Sequence, residues 1–142
     1  MTPTRCDECG AEYPEPEDSC QARFDQLLAL DHSRQEPWGS RHGLAFAALA
    51  LQHPRRFPAA SVAQSRALIE RVVVAGEPLA RVIAEFRAHP RPAAPLPSAR
   101  AHGPTSFAVT IADLGSFAPD TYPAALERWA RAALGAPSTG AV

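Results

Sequence analysis

The sequence predicts a mainly α-helical fold: an antiparallel helical domain with an N-terminal zinc-knuckle loop and one short strand near the C-terminus. Three observations predict it. Apolar residues recur at helical spacing from Ser19 to His89 and again from Tyr122 to Leu134. Between those regions, only Phe107 to Leu114 alternates apolar with small or polar residues, the period of a strand. Three cysteines crowd the first twenty residues, Cys6 and Cys9 in the run Cys-Asp-Glu-Cys-Gly and Cys20 behind them. A chain of 142 residues is long enough to bury most of its apolar surface, so a single domain over 1–142 is expected.

Residues 1–20 read as a metal-binding knuckle. Two thiolates three residues apart can grip one ion while the glycine relaxes the backbone behind the second. Asp7, Glu8, Glu12, Glu15, Glu17 and Asp18 face only Arg5 in this stretch, a field that repels phosphates. With a formal net charge of −1 for the whole chain, no nucleic-acid partner is expected. No run is long and apolar enough to span a bilayer, and no apolar targeting stretch opens the chain. An odd number of cysteines without such a signal points to a reducing compartment, so a soluble cytoplasmic protein is the expectation.

The helical core is expected over 20–89. Ser19 is a good N-cap for a first helix through Cys20, Phe24, Leu27, Leu28 and Asp31 to about Arg34. A turn over Gln35 to Gly39 leads to a second helix from about Ser40 through His42, Ala45, Phe46 and Leu49 to His53, where Pro54 stops it. A third helix is expected over about 60–75, ending at Gly76, with Leu68, Ile69, Val72 and Val73 as core, and a fourth over about 78–88. Residues 89–104 hold five prolines and read as an extended linker. Over 105–135 follow the strand, whose pairing partner the sequence does not identify, and a closing helix from Tyr122 to Leu134 with Trp129 inside it. The tail from Gly135 is expected to fray.

Helical rise decides which residues can share an ion. Cys20 and His32 lie roughly 18 Å apart along one helix, and His42 and His53 roughly 16 Å apart along another. The short turn makes the two helices antiparallel neighbours, which brings Cys20 to His53 at one end and Asp31 to His42 at the other. The expected ligand set is Cys6, Cys9, Cys20 and His53 around Zn²⁺, with Phe24, Leu27, Leu28, Phe46 and Leu49 as the apolar seam between the helices. Whether His42 takes the place of His53, or a water fills the fourth position, stays open. So does the plainer reading of Cys6 and Cys9 as incidental thiols and Cys20 as a small core hydrophobe. A thioredoxin-like role fits poorly, because the acidic loop would raise the thiol pKa.

Asp31 and His42 form a second constellation, both on faces expected to be buried. They read as a hydrogen-bonded pair fixing helix register, or as candidate catalytic residues in which Asp31 orients His42 as a general base. Trp38 is expected to cap the helix ends, Arg55 and Arg56 to form a solvated pair, and Asp113 to sit where it could reach a pocket.

The runs Cys-x-x-Cys-Gly-Ala, Ser-Cys-Gln-Ala-Arg-Phe-Asp-Gln-Leu-Leu-Ala-Leu-Asp and Arg-His-Gly-Leu-Ala-Phe-Ala-Ala-Leu-Ala-Leu-Gln-His-Pro resemble a group of small bacterial proteins classed only as a domain of unknown function. The resemblance covers about residues 6–54. It implies that the early cysteines, an acidic residue near position 31, His42, Gln52 and His53 recur together. Relatives place an Asp and a Tyr where this chain has Ala47 and Leu49, so an activity that needs those groups is not implied here.

Three functions follow from these readings. The first is a zinc-binding protein with a structural metal and a surface for a protein partner. The second is a small metal-dependent or acid-base enzyme acting through Asp31 and His42 on a small molecule. The third is a sensor of zinc or thiol oxidation. A homo-oligomer is left open.

Overall fold

The computed structural model describes residues 4–89 and 106–135. The proline-rich linker expected over 89–104 and the tail beyond Gly135 lie, apart from His89 itself, outside the described residues. The chain is mainly helical. Two short strands, β1 (Thr4–Arg5) and β2 (Glu12–Tyr13), pair antiparallel with Thr4 opposite Tyr13 and so close the loop that carries Cys6 and Cys9. The helices are α1 (Cys20–His32), α2 (His42–Gln52), α3 (Ala59–Ile69), α4 (Leu79–Ala88) and α5 (Tyr122–Leu134).

Helix α1 starts where its cap places it. Ser19 is extended and its Oγ accepts from the Ala22 amide at 3.0 Å, a contact of a kind that stabilises a helix by about 1 kcal/mol. Its buried face carries Cys20, Phe24, Leu27 and Asp31. The turn that follows is pinned from a distance: Trp38 Nε1 donates to the Phe117 carbonyl at 2.9 Å. A short 3₁₀ turn, Gly39–Arg41, feeds α2.

Helix α2 is central, with Leu44, Ala45, Leu49 and every residue from Ala47 to Gln52 buried. Its alanines present little volume, so α3 and α5 both pack closely against it. Helix α5 offers a regular stripe of Tyr122, Ala125, Leu126, Trp129, Ala130 and Ala133. Gln52 ties three segments together. Its Nε2 donates to the Val109 carbonyl at 2.8 Å and its Oε1 accepts from Trp129 Nε1 at 3.0 Å, with Gln52 and Trp129 both fully buried. Each of these buried polar groups therefore has its partner.

Three expectations need correction. Phe107 to Leu114 is not a strand: residues 111–114 form a 3₁₀ turn, and Thr110 with Asp113 builds a capping box at its start. The Thr110 hydroxyl accepts from the Ala112 amide while Asp113 Oδ2 accepts from the Thr110 amide at 2.8 Å. A local cap thus overrides a period-2 pattern, and Ile111 and Leu114 bury together at a spacing of three. Asp113 is spent on that cap.

The stretch expected as core at the end of α3 is core only in part. After Ile69 the chain widens into a π-helical segment, Glu70–Val74, which rotates the valines outward. Leu68 and Ile69 are buried, Val72 and Val73 half-buried, and Val74 is 62% exposed. Gly76 ends the segment at φ +78°, a conformation that favours glycine. The third correction concerns the α1–α2 seam. Phe46 lies edge-on to Phe57, with ring centroids 5.3 Å apart, and lines a groove toward α3 and α4.

Candidate metal centre

The knuckle, the start of α1 and the end of α2 meet at one point. Cys6 and Cys9 flank a turn in which the Gly10 amide donates to the Cys6 carbonyl at 3.0 Å and the Cys6 amide to the Ala11 carbonyl at 2.8 Å. Gly10 sits at φ +85°, which explains the glycine after the second cysteine. Cys20 opens α1. His53 follows α2 directly, held in a non-helical conformation by the approach of Pro54.

One ligand atom from each of Cys6, Cys9, Cys20 and His53 lies within 4.8 Å of the others. The Cys9 and Cys20 sulfurs are 3.5 Å apart, far beyond a disulfide bond and close to the ~3.8 Å edge of a tetrahedron with 2.3 Å metal–sulfur bonds. His53 supplies the sharpest test. A carbonyl can only accept, so the 2.8 Å contact with Leu49 O places the ring proton on Nδ1. In the neutral ring, the form that binds a metal, Nε2 therefore carries the lone pair, and among the described residues this fully buried atom has no hydrogen-bond partner. The donor set fits a metal ion: three sulfurs and one imidazole of fixed tautomer, close enough together to hold one.

The electrostatics agree. Contact with the Cys20 thiol and then with Cys9 holds the Cys6 thiol far below its ordinary range. The Cys20 and Cys6 sulfurs, followed by burial, push the Cys9 thiol up. Burial works against a charged His53 ring, yet the Cys20 and Cys6 sulfurs more than offset it and raise its pKa to about 9. Crowded sulfurs thus compete for protons, and a divalent cation among them removes that competition.

Two residues outside the expected ligand set support the site. Tyr13 is buried and its hydroxyl donates to Cys20 Sγ at 3.1 Å; burial and then Cys20 push its pKa up, so it stays a donor. Its place in β2, opposite Thr4, aims it inward. Glu8, between the two knuckle cysteines, is buried and accepts from Arg56 Nε at 2.8 Å and from the Arg55 amide at 3.3 Å. Arg55 and Arg56 are therefore not simply a solvated pair: together with Glu8 they lock the knuckle to the turn after His53. An acid inside Cys-x-x-Cys and an Arg-Arg pair right after His53 was the available signal, concealed by a separation of 48 residues.

At the far end of the hairpin, His42 Nδ1 and Asp31 Oδ2 are 2.7 Å apart, as the helical spacing predicts. Their burial differs from expectation. Asp31 has a side chain only 5% exposed, whereas His42 is 45% exposed because it opens α2 at the edge of a groove. Burial raises the Asp31 pKa and His42 works against that rise. Asp31 Oδ1 and the Tyr122 hydroxyl are buried without a hydrogen-bond partner among the described residues. His32 is exposed and takes no part in the metal cluster.

None of the described helices is long and apolar enough to cross a membrane. No curated protein and no solved structure matches the chain. A family model does match, over residues 4–138, and its span takes in the knuckle, both helices of the hairpin and α5. By that match the chain belongs to the family of unknown function DUF5946.

Proposed function

We propose that Cys6, Cys9, Cys20 and His53 bind one Zn²⁺ as a structural metal, and that the body it staples together acts by binding a protein partner. One observation carries the metal reading: His53 Nε2, a buried nitrogen with no hydrogen-bond partner among the described residues, faces three clustered sulfurs. Three soft thiolates with one imidazole are ligands that zinc favours. Four protein ligands close the coordination shell. Cys9, Cys20 and His53 are at most 2% exposed and Cys6 is half-buried, so little of the site is open to a substrate, and in this reading the metal supplies folding free energy rather than Lewis acidity.

The partner reading rests on the outward-turned valines. Val72, Val73, Leu79 and Leu126 line a groove of about 470 Å³, next in the chain to the exposed Val74. The reducing, cytoplasmic setting in which such thiols stay available belongs to the same reading.

Elemental analysis of the purified chain tests the metal. One zinc per chain is expected, with loss of zinc in Cys20→Ser and in His53→Ala. Full retention in both variants would sink the ligand set. A photo-crosslinking amino acid placed at Val74 tests the surface: one discrete protein adduct in cells supports it, and a chain that yields none counts against it.

A further inference from the structure

Asp31 and His42 have no place in the metal reading, and they sit beside a large groove. That groove, about 1010 Å³, runs between α2, α3 and α4, with Phe46, Leu68, Ile83 and Phe86 among its walls and His42 on the side of the α2 N-terminus. Gly43, one residue further, lets α4 come close: a Cβ there would stand 2.6 Å from Ile83 Cδ1.

The chemistry of the groove is selective. Asp31 Oδ2 accepts from His42 Nδ1 at 2.7 Å, so in the neutral ring Nε2 keeps its lone pair and acts as an acceptor. Asp31 is buried behind it and fixes the tautomer and the ring direction. Arg87 is the one lining residue with a fixed charge and disfavours a cation, while the carboxylate behind His42 repels an anion at that end, so an uncharged occupant suits the wall beside His42. The rings of Phe46 and Phe86 favour a flat aromatic surface. The volume, near the upper end of small-molecule pockets, leaves ample room for two fused rings.

We propose that this groove is a binding site for an uncharged aromatic alcohol, a phenol-class molecule of about two rings, whose hydroxyl donates a hydrogen bond to His42 Nε2. Asp31 is the positioning residue that holds the imidazole as an acceptor. The site is separate from the metal cluster and does not depend on which ion that cluster holds.

The test compares two probes that differ only at the hydroxyl. In equilibrium dialysis against the purified full chain, 2-naphthol should bind about tenfold more tightly than 2-methoxynaphthalene, the fold-change expected for one hydrogen bond to an oriented acceptor. His42→Ala should abolish that preference by weakening 2-naphthol alone. Equal affinity for the two probes, no binding of either, or an undiminished preference in His42→Ala overturns the proposal. If His42→Ala does not fold, the ¹⁵N resonance of His42 Nε2 in the unaltered chain decides: it should shift with 2-naphthol and not with the ether. No shift with 2-naphthol overturns the assignment.

Discussion

Tyr13 and Asp31 each do work at the scale of one side chain that their type does not announce. The Tyr13 hydroxyl donates to Cys20 Sγ at 3.1 Å and so orients one sulfur of the candidate ligand set. Tyr13→Phe keeps the ring in the core and removes only the donor. It should weaken zinc about tenfold in a competition titration with a chromophoric chelator, the lower end of what outer partners contribute, with the helical circular dichroism unchanged. Asp31 runs the other way. Its folded pKa is raised above the ordinary 3.8, so the folded protein binds the proton more tightly than the unfolded chain. The stability it contributes is present below pH 3.8 and is lost as pH rises through the folded pKa. Asp31→Asn retains an oxygen to accept from His42 Nδ1 without a buried charge. Thermal melts should place its midpoint at or above that of the unaltered chain at pH 7, with the gap closing toward pH 3.8.

At the scale of elements, the knuckle and the α2–α3 turn are joined twice, once through the four ligand atoms and once through Glu8. Glu8 is 7% exposed at its side chain while Arg55 and Arg56 are 46% and 40% exposed, so solvent weakens the ion pairs but not the buried carboxylate's need for partners. Glu8→Ala should cost about 1 kcal/mol in urea melts and should raise the zinc dissociation rate, because His53 loses the brace on the turn that follows it. A variant whose metal exchange stays at the original rate would separate this lock from the metal. The 3₁₀ turn of Ile111–Leu114 makes a related point: four residues with strand-like alternation fold as a turn because Thr110 and Asp113 satisfy its first amides locally.

For the molecule as a whole, α2 is the element on which the rest is assembled, and Gln52 is its polar pin. The side chain bridges the segment at Val109 to Trp129 of α5 from a position with no solvent contact. Gln52→Ala would leave the Trp129 N–H and the Val109 carbonyl unpaired and open a cavity between them. It should destabilise the fold by about 3 kcal/mol or more in denaturant melts. A loss below about 1 kcal/mol would mean that water replaces the amide. The metal end and the Asp31–His42 end lie three helical turns apart on the same pair of helices, so each can be altered with the other as an internal control.

What the sequence determined by itself was whatever local rules govern. The Ser19 cap, the stop at Pro54, the bounds of α5 and the pairing of Cys20 with His53 and of Asp31 with His42 follow from propensity and from a rise of 1.5 Å per residue, which act over a few turns of one hairpin. The tertiary structure alone decided the contacts that join residues distant along the chain: Glu8 with Arg56, Gln52 with Trp129 and Trp38 with the Phe117 carbonyl. It also decided which neighbour Phe46 meets, and that His42 stands at an open groove rather than in the core. The physical reason is that helical periodicity marks which side of a helix is apolar without naming what will cover it. That choice belongs to the packing of α2 against α3 and α5 and to the buried polar groups that must all find partners at once.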